Sequence, residues 1–218
     1  MITLTEENYI KTIYQLGKYG TLTVSTNNIA EAIATKASSV TDMIKKLADK
    51  GYVDYKRYQG ATLTSKGKKI AADVVRKHRL WEVFLVEKLN FSWDEVHDIA
   101  EQLEHIKSDK LINELDKLLD YPTHDPHGDP IPDKSGEIKK SNKVLLFTLP
   151  ENTKGVCVGV KDTSPTFLKY LDKHKIALGS EIKVISREDY DDSMVIEIKG
   201  ETKTISQAVA SNLFVLEA

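Results

Sequence analysis

One cysteine, Cys157, is the whole thiol content of the 218 residues. An intrachain disulfide and a thiolate-rich zinc site are therefore excluded, and metal chemistry would have to use His, Asp, Glu and amide side chains. No apolar run approaches the roughly 18 residues of a membrane span. The opening MITLTEENYI lacks the basic-then-apolar layout of a secretion signal, so a cytoplasmic protein with no membrane partner is expected. Also missing are the H-E-x-x-H pair, a Gly-rich phosphate loop and a G-x-S-x-G elbow. The Glu-x-x-His repeats of di-iron bundles are absent as well, because Glu101 is followed three residues on by Glu104. There are no low-complexity tracts and no internal repeats.

Excess charge of either sign is lacking too, with a formal total of −2. That total hides a division along the chain. Residues 1–72 hold 11 Lys/Arg against 6 Asp/Glu, residues 73–140 hold 10 against 16, and residues 141–218 hold 10 against 11. A basic end and an acidic middle call for different partners.

Behind Thr5 as a cap candidate, Tyr9, Ile10, Ile13, Tyr14 and Leu16 recur at helical spacing and predict a first helix over 4–16. STNNIAEAIAT and SSVTDMIKKLADKGYV read as two short amphipathic helices, separated by Thr35, Lys36 and Ala37 and stopped by Gly51, which is the pattern of a helix-turn-helix. YVDYKRYQGATLTSKG then alternates apolar and polar residues around Gly60, as a small hairpin does. A longer helix is expected from Ser65 to Leu89. Ser92-Trp93-Asp94-Glu95 is a capping-box pattern, and it opens a further single helix whose apolar face runs from Val96 to Leu119. So broad a stripe implies burial against a partner. Residues 122–143 carry four of the six prolines and read as a linker. From Val144 onward VLLFTL, GVCVGV, SEIKVISRE, SMVIEIKG and FVLEA read as five strands, with TFLKYLDKHKI as one helix, which suits a small barrel. The expected fold is mainly α with a small β domain. Its parts are 1–72, 73–122, a linker over 123–143, and 144–218.

In a helix-turn-helix followed by a hairpin, the second helix enters the major groove and the hairpin lies along the backbone. Ser38, Ser39, Thr41 and Asp42 at the start of that helix are short and polar, able to reach base edges. Lys36, Lys45 and Lys46 could meet phosphates, and Lys56, Arg57 and Tyr58 sit on the wing. A solvated lysine face explains these cations equally well when they are taken alone, and short helix pairs also build protein-interaction modules or scaffolds. The basic segment and the wing favour DNA.

His78 and Glu82 are four residues apart and share a helix face. On the next helix His97, Glu101, Glu104 and His105 stand at i, i+4, i+7 and i+8, again one face. Each such pair alone is an ordinary surface event; together they put three of the six histidines into one carboxylate-rich set. Mixed nitrogen and oxygen ligands suit Mn²⁺ or Fe²⁺ better than a thiolate metal. By chemistry alone such a site could also be hydrolytic or oxidative. His124 and His127 in the proline-rich stretch read as structural or surface residues, and Cys157, Trp81 and Trp93 as core.

Several stretches resemble the landmarks of a known family: ENYIKTIYQL, SSVTDMIKKLADKGYV, YQGATLTSKGKKIA, RKHRLWEVFL, VHDIAEQLEH and PTHDPHGDPIP. Through them the chain resembles the diphtheria-toxin-repressor (DtxR/MntR) family of metal-dependent transcriptional regulators along nearly its whole length. The resemblance implies a winged-helix DNA-binding domain, a helical dimerisation domain and an SH3-like (FeoA-like) β-barrel. It implies a homodimeric repressor of metal-uptake genes on a palindromic double-stranded operator, with no catalysis and no small-molecule substrate. Two metal sites per subunit follow from it. His78, Glu82 and His97 match one, with Asp162 as a further ligand; Asn8, Glu101, Glu104 and His105 match the other. A carboxylate at Glu101 resembles the manganese branch, so Mn²⁺ is the expected effector and Fe²⁺ the alternative; a metal-dependent hydrolase is the alternative from another class. Two residues depart from the pattern. Asn8 stands where the family usually has an acidic residue or Met, and Lys11 stands where manganese members can have a further carboxylate.

Overall fold

A computed structural model describes residues 2–139 and 142–217. The chain forms two compact units. One comprises Met1–Trp81, Ala100–Asp116 and Ile131–Ile138, the other Glu82–Ile99, Lys117–Pro130 and Lys139–Ala218.

The first unit opens with α1 (Leu4–Leu16), whose cap is Thr3 rather than Thr5. Thr3 Oγ1 accepts from Glu6 N, and Glu6 Oε2 accepts from Thr3 N at 3.1 Å, a reciprocal capping box. Glu6 thus stands at the third helical position that a capping box needs, an arrangement Thr5 cannot offer. α2 (Thr26–Ala32) is capped by Ser25. α2 ends at Ala32 and α3 (Ala37–Asp49) begins at Ala37, so the joint runs over Ile33, Ala34, Thr35 and Lys36, one residue longer than the sequence indicates and shifted towards the N-terminus. β1 (Val53–Lys56) and β2 (Gly60–Leu63) pair antiparallel from Val53↔Leu63 to Lys56↔Gly60. Gly60 adopts φ +103°, and a Cβ there would lie 2.5 Å from the Val24 carbonyl oxygen, so only glycine fits where the wing crosses Val24. Ile10, Ile13, Ile29, Val40, Ile44 and Leu47 are fully buried and close the core of these elements. Each contributes about 1.5–3 kcal/mol of burial.

α4 (Ser65–Leu89) gives its first part to this unit. Its Arg76 is buried, donating to Asp116 Oδ2 at 2.6 Å and to the Pro132 carbonyl at 2.7 Å. The single helix expected beyond Ser92 is broken. α5 (Val96–Leu103) ends before Glu104, and α6 (Asp109–Leu118) starts afresh. Ser108 supplies the competing start signal: its carbonyl accepts from Ile112 N at 3.1 Å and its Oγ from Leu111 N at 3.3 Å. Glu104 and His105 therefore lie in a turn.

The second unit holds one six-stranded antiparallel sheet in the order β3-β8-β4-β5-β6-β7. The strands are β3 (Val144–Leu145), β4 (Lys154–Val160), β5 (Glu181–Arg187), β6 (Met194–Ile198), β7 (Glu201–Ile205) and β8 (Leu213–Glu217). This differs from the five expected strands in two places. VLLFTL is a two-residue strand followed by a 3₁₀ turn over Leu146–Thr148. β7 is additional, and of its five residues only Ile205 is buried, which is why alternation did not betray it. α7 (Pro165–Lys173), capped by Ser164, and the short α8 (Gln207–Ala210) accompany the sheet. Cys157, Leu168, Ile182, Ile196, Leu213 and Val215 form its core. Burial pushes the Cys157 thiol pKa up, as befits a core residue.

The proline-rich stretch is not a free linker. His127 O accepts from Val160 N at 2.9 Å, and Gly128, at φ +82°, passes so close to β4 that a Cβ would lie 2.0 Å from the Val158 carbonyl oxygen. Lys140 and Ser141 of that stretch lie outside the described residues. No helix among the described residues is long and apolar enough to cross a membrane.

Candidate functional site

In the second unit the last turns of α4 carry Glu82, 2% exposed, and the stretch attached to β4 carries Asp125 and His127, 6% and 3% exposed. One ligand atom from each lies within 4.8 Å of the other two. Glu82 is 3.7 Å from His127 Nδ1 and 3.6 Å from Nδ1 of the exposed His97. His127 Nε2 is fixed by the Trp93 carbonyl at 2.8 Å, and the two rings stack with centroids 6.3 Å apart. With Nε2–H donating there, Nδ1 is the nitrogen turned to the carboxylates. Asp125 Oδ1 accepts from the backbone N–H groups of His127 and Asp129 at 2.8 and 2.9 Å, which fixes its carboxylate.

Burial works against a charged His127, but the hydrogen bond and charge of Glu82, with the charge of Asp125, outweigh it and push its pKa up to about 9. The pocket asks for a positive charge. The residues fit a divalent cation: two buried carboxylates, one imidazole, and a second ring nitrogen bonded to a carbonyl, as in the outer shell of metal-binding histidines. Of the expected ligands, Glu82 and His97 are brought together here, whereas His78 belongs to the first unit. Asp162 is partly exposed and accepts from Ser164 N at 2.8 Å, a turn contact ahead of α7. Asp125, His127 and Trp93 went unrecognised in the sequence. His127, read as structural or surface, is buried in this cluster. A His-Gly-Asp run next to an aspartate was the available signal, and its proline-rich setting masked it.

A second cluster lies wholly in the first unit. Its expected members Glu101, Glu104 and His105 are together, but α1 does not offer Asn8, which is exposed. It offers Glu7 and Lys11 instead. His105 Nδ1 is 2.7 Å from Glu7 Oε2. Lys11 Nζ donates to both oxygens of Glu104, at 2.9 and 2.7 Å, and to Glu101 Oε1. His78 Nδ1 is 2.6 Å from Glu104 Oε2. A metal does not fit this set as it stands, because an ammonium already lies between the two carboxylates.

The nucleic-acid face also belongs to the first unit. Lys36, Ser38, Ser39, Asp42 and Lys45 are exposed at and after the start of α3, and Thr41 is partly exposed. Lys56 and Arg57 are exposed on the wing, as is Tyr58 at 90%, with the Arg57 guanidinium 4.9 Å from the Tyr58 ring centroid. A groove of about 500 Å³ runs past Thr41, Tyr55 and Arg57 to Ser25, Thr26 and Asn27 at the start of α2, polar residues that the sequence reading passed over. Lys46 is exposed too but is engaged by the chain itself: with Lys50 it holds Glu6, at 3.0 and 2.7 Å, and so ties α3 to α1.

This arrangement of a winged helix, a carboxylate-imidazole cluster and a terminal sheet has known counterparts. Residues 1–61 match the iron dependent repressor N-terminal DNA binding domain, residues 64–133 the iron dependent repressor metal binding and dimerisation domain, and residues 144–217 the FeoA domain. The HTH-type transcriptional regulator MntR of Oceanobacillus iheyensis is 41% identical over 122 residues, 56% of this chain and 81% of that protein. The chain belongs to the diphtheria-toxin-repressor family of metal-dependent transcriptional repressors. The Iron-dependent repressor IdeR of Mycobacterium leprae is 36% identical over 128 residues, 59% of this chain, so the match spans only 55% of that curated relative. Among solved structures, a manganese-dependent transcriptional repressor in complex with manganese superposes with a TM-score of 0.88 at 35% identity, covering 98% of this chain and 100% of that one. The family consists of repressors and not enzymes, which sets aside the hydrolase alternative.

Proposed function

We propose that this member of the diphtheria-toxin-repressor family is a homodimeric, cytoplasmic repressor that binds a palindromic operator of metal-uptake genes when Mn²⁺ occupies the Glu82–Asp125–His127 centre. The observation that carries the reading is that centre itself: three buried ligand side chains whose atoms lie within 4.8 Å of one another. A bound divalent cation would supply the positive charge that lets two buried carboxylates share the place with a neutral imidazole. Hard carboxylate oxygens with one imidazole and no thiol favour Mn²⁺ or Fe²⁺. Dimerisation is supported by the match of residues 64–133 to the iron dependent repressor metal binding and dimerisation domain. DNA recognition is assigned to Ser38, Ser39, Thr41 and Asp42 for bases, and to Lys36, Lys45, Lys56, Arg57 and Tyr58 for the backbone.

The test is fluorescence anisotropy on a palindromic duplex with metal-free protein, then with Mn²⁺, anaerobic Fe²⁺ or Zn²⁺. Mn²⁺ is expected to strengthen binding several-fold to a hundredfold, the reach of a coupling of about 1–3 kcal/mol. Equal affinity with and without metal refutes the switch. Fe²⁺ is the second reading, favoured by the likeness to iron-dependent repressors; a larger response to Fe²⁺ than to Mn²⁺ would establish it.

A further inference from the structure

We propose that the Lys11 ammonium is the resident cation of the cluster built from Glu101, Glu104, His78 and His105, so that this cluster is a metal-free latch and each subunit senses metal through one centre only. The second half of this statement rests on the reading of Glu82, Asp125 and His127 given above.

The first observation is geometric. Lys11 Nζ is within hydrogen-bonding reach of both Glu104 oxygens and of Glu101 Oε1, so the two carboxylates already converge on one positive centre. The second is burial. The Lys11 side chain is 7% accessible and that of Glu104 is fully covered. An ammonium in such a place must stay paired, since an uncompensated buried charge is strongly unfavourable. A divalent ion entering between the carboxylates would take away its partners and repel it at contact range.

The third observation is saturation of the other polar groups. His78 Nδ1 engages Glu104 Oε2 at 2.6 Å, His105 Nδ1 engages Glu7 Oε2 at 2.7 Å, and Lys107 Nζ is 3.7 Å from Glu7 Oε1. Every carboxylate of the cluster thus has a cationic or imidazole partner from the chain itself. A metal would join α1 to residues 101–105; Lys11 and Glu7, as side chains of α1, make that joint without one. The same helix holds α3 through Glu6, so the latch positions the recognition helix whether or not metal is present.

The experiment counts Mn²⁺ on the demetallated 218-residue chain, by the loss of the free-ion electron paramagnetic resonance signal during titration. Wild type should take up one ion per subunit, His127→Ala none, and Glu104→Gln one. Lys11→Glu, which exchanges the ammonium for a carboxylate, should gain an ion, and it reports on the latch if Glu104→Gln folds poorly. Two ions in wild type with one lost in Glu104→Gln, or an unchanged count in Lys11→Glu, overturns the latch. If His127→Ala keeps its ion while Glu104→Gln also keeps its own, the latch stands and the assignment of the Glu82 centre falls.

Discussion

Replacing Glu6 by Gln isolates the electrostatic part of the joint between the first helix and the recognition helix. The Glu6 side chain is fully covered and takes Lys50 at 2.7 Å and Lys46 at 3.0 Å. The hydrogen bond from Lys50 is the largest influence on its acidity; burial opposes it, Lys46 and the Thr3 N–H reinforce it, and the carboxyl falls from 4.5 to about 2. At 1.36 kcal/mol per pKa unit that shift has a ceiling of about 3 kcal/mol. Lys46 and Lys50 are 53% and 36% exposed, so solvent screening reduces the expectation to about 1–2 kcal/mol. The glutamine oxygen can still accept from Thr3 N, which leaves the cap in place. Because the folded carboxyl is the stronger acid, its contribution is fully present above the unfolded pKa and disappears as pH falls through the folded value. Urea denaturation of the full chain, read by far-UV circular dichroism, should therefore show Glu6→Gln less stable than wild type at pH 7. The gap should narrow steadily between pH 4.5 and about 2. A gap that stays constant down to pH 2 would refute an ion-pair origin.

Four further outcomes are expected. His127→Ala should abolish the metal-induced gain in operator affinity measured by anisotropy while leaving metal-free binding unchanged. Asp116→Ala leaves the buried Arg76 without its carboxylate and should cost about 3–5 kcal/mol in denaturant melts. Gly128→Ala places a Cβ against the Val158 carbonyl at φ +82° and should cost about 1–3 kcal/mol, with weaker Mn²⁺ uptake because the adjacent His127 shifts. Arg57→Ala should lower operator affinity evenly across sequences and flatten the dependence of log affinity on log salt by about 1 for each phosphate that is no longer neutralised.

The helical first half was legible because its periodicity is strong and its punctuation local: Ser25, Gly51 and Gly60 mark boundaries where the structure has them. The break at residues 104–108 was not, since the apolar spacing from Val96 to Leu119 continues in phase across it and only Ser108 competes. β7 escaped because an edge strand with one buried side chain carries no alternation. At the sites, spacing along a helix found Glu82, His97, Glu101, Glu104 and His105. It could not find Asp125 and His127, which lie some forty residues beyond Glu82 in a stretch without periodicity and meet it only through the fold, beside Gly128 where the backbone passes close to β4. Nor does spacing reveal that α1 turns Lys11 and Glu7 inward and leaves Asn8 outside.

The two units are each stitched from three separate stretches of chain, and this dictates an order of events during synthesis. The helix-turn-helix and wing leave the ribosome early, yet the first unit is complete only when Ile138 has emerged. Until then Lys11 waits in water for Glu101 and Glu104, some ninety residues downstream. Glu82 waits longer still for the sheet that anchors His127. No cut before Ile138 leaves the first unit whole, so a reader of DNA truncated just after the wing, at Leu63, would be made without its latch.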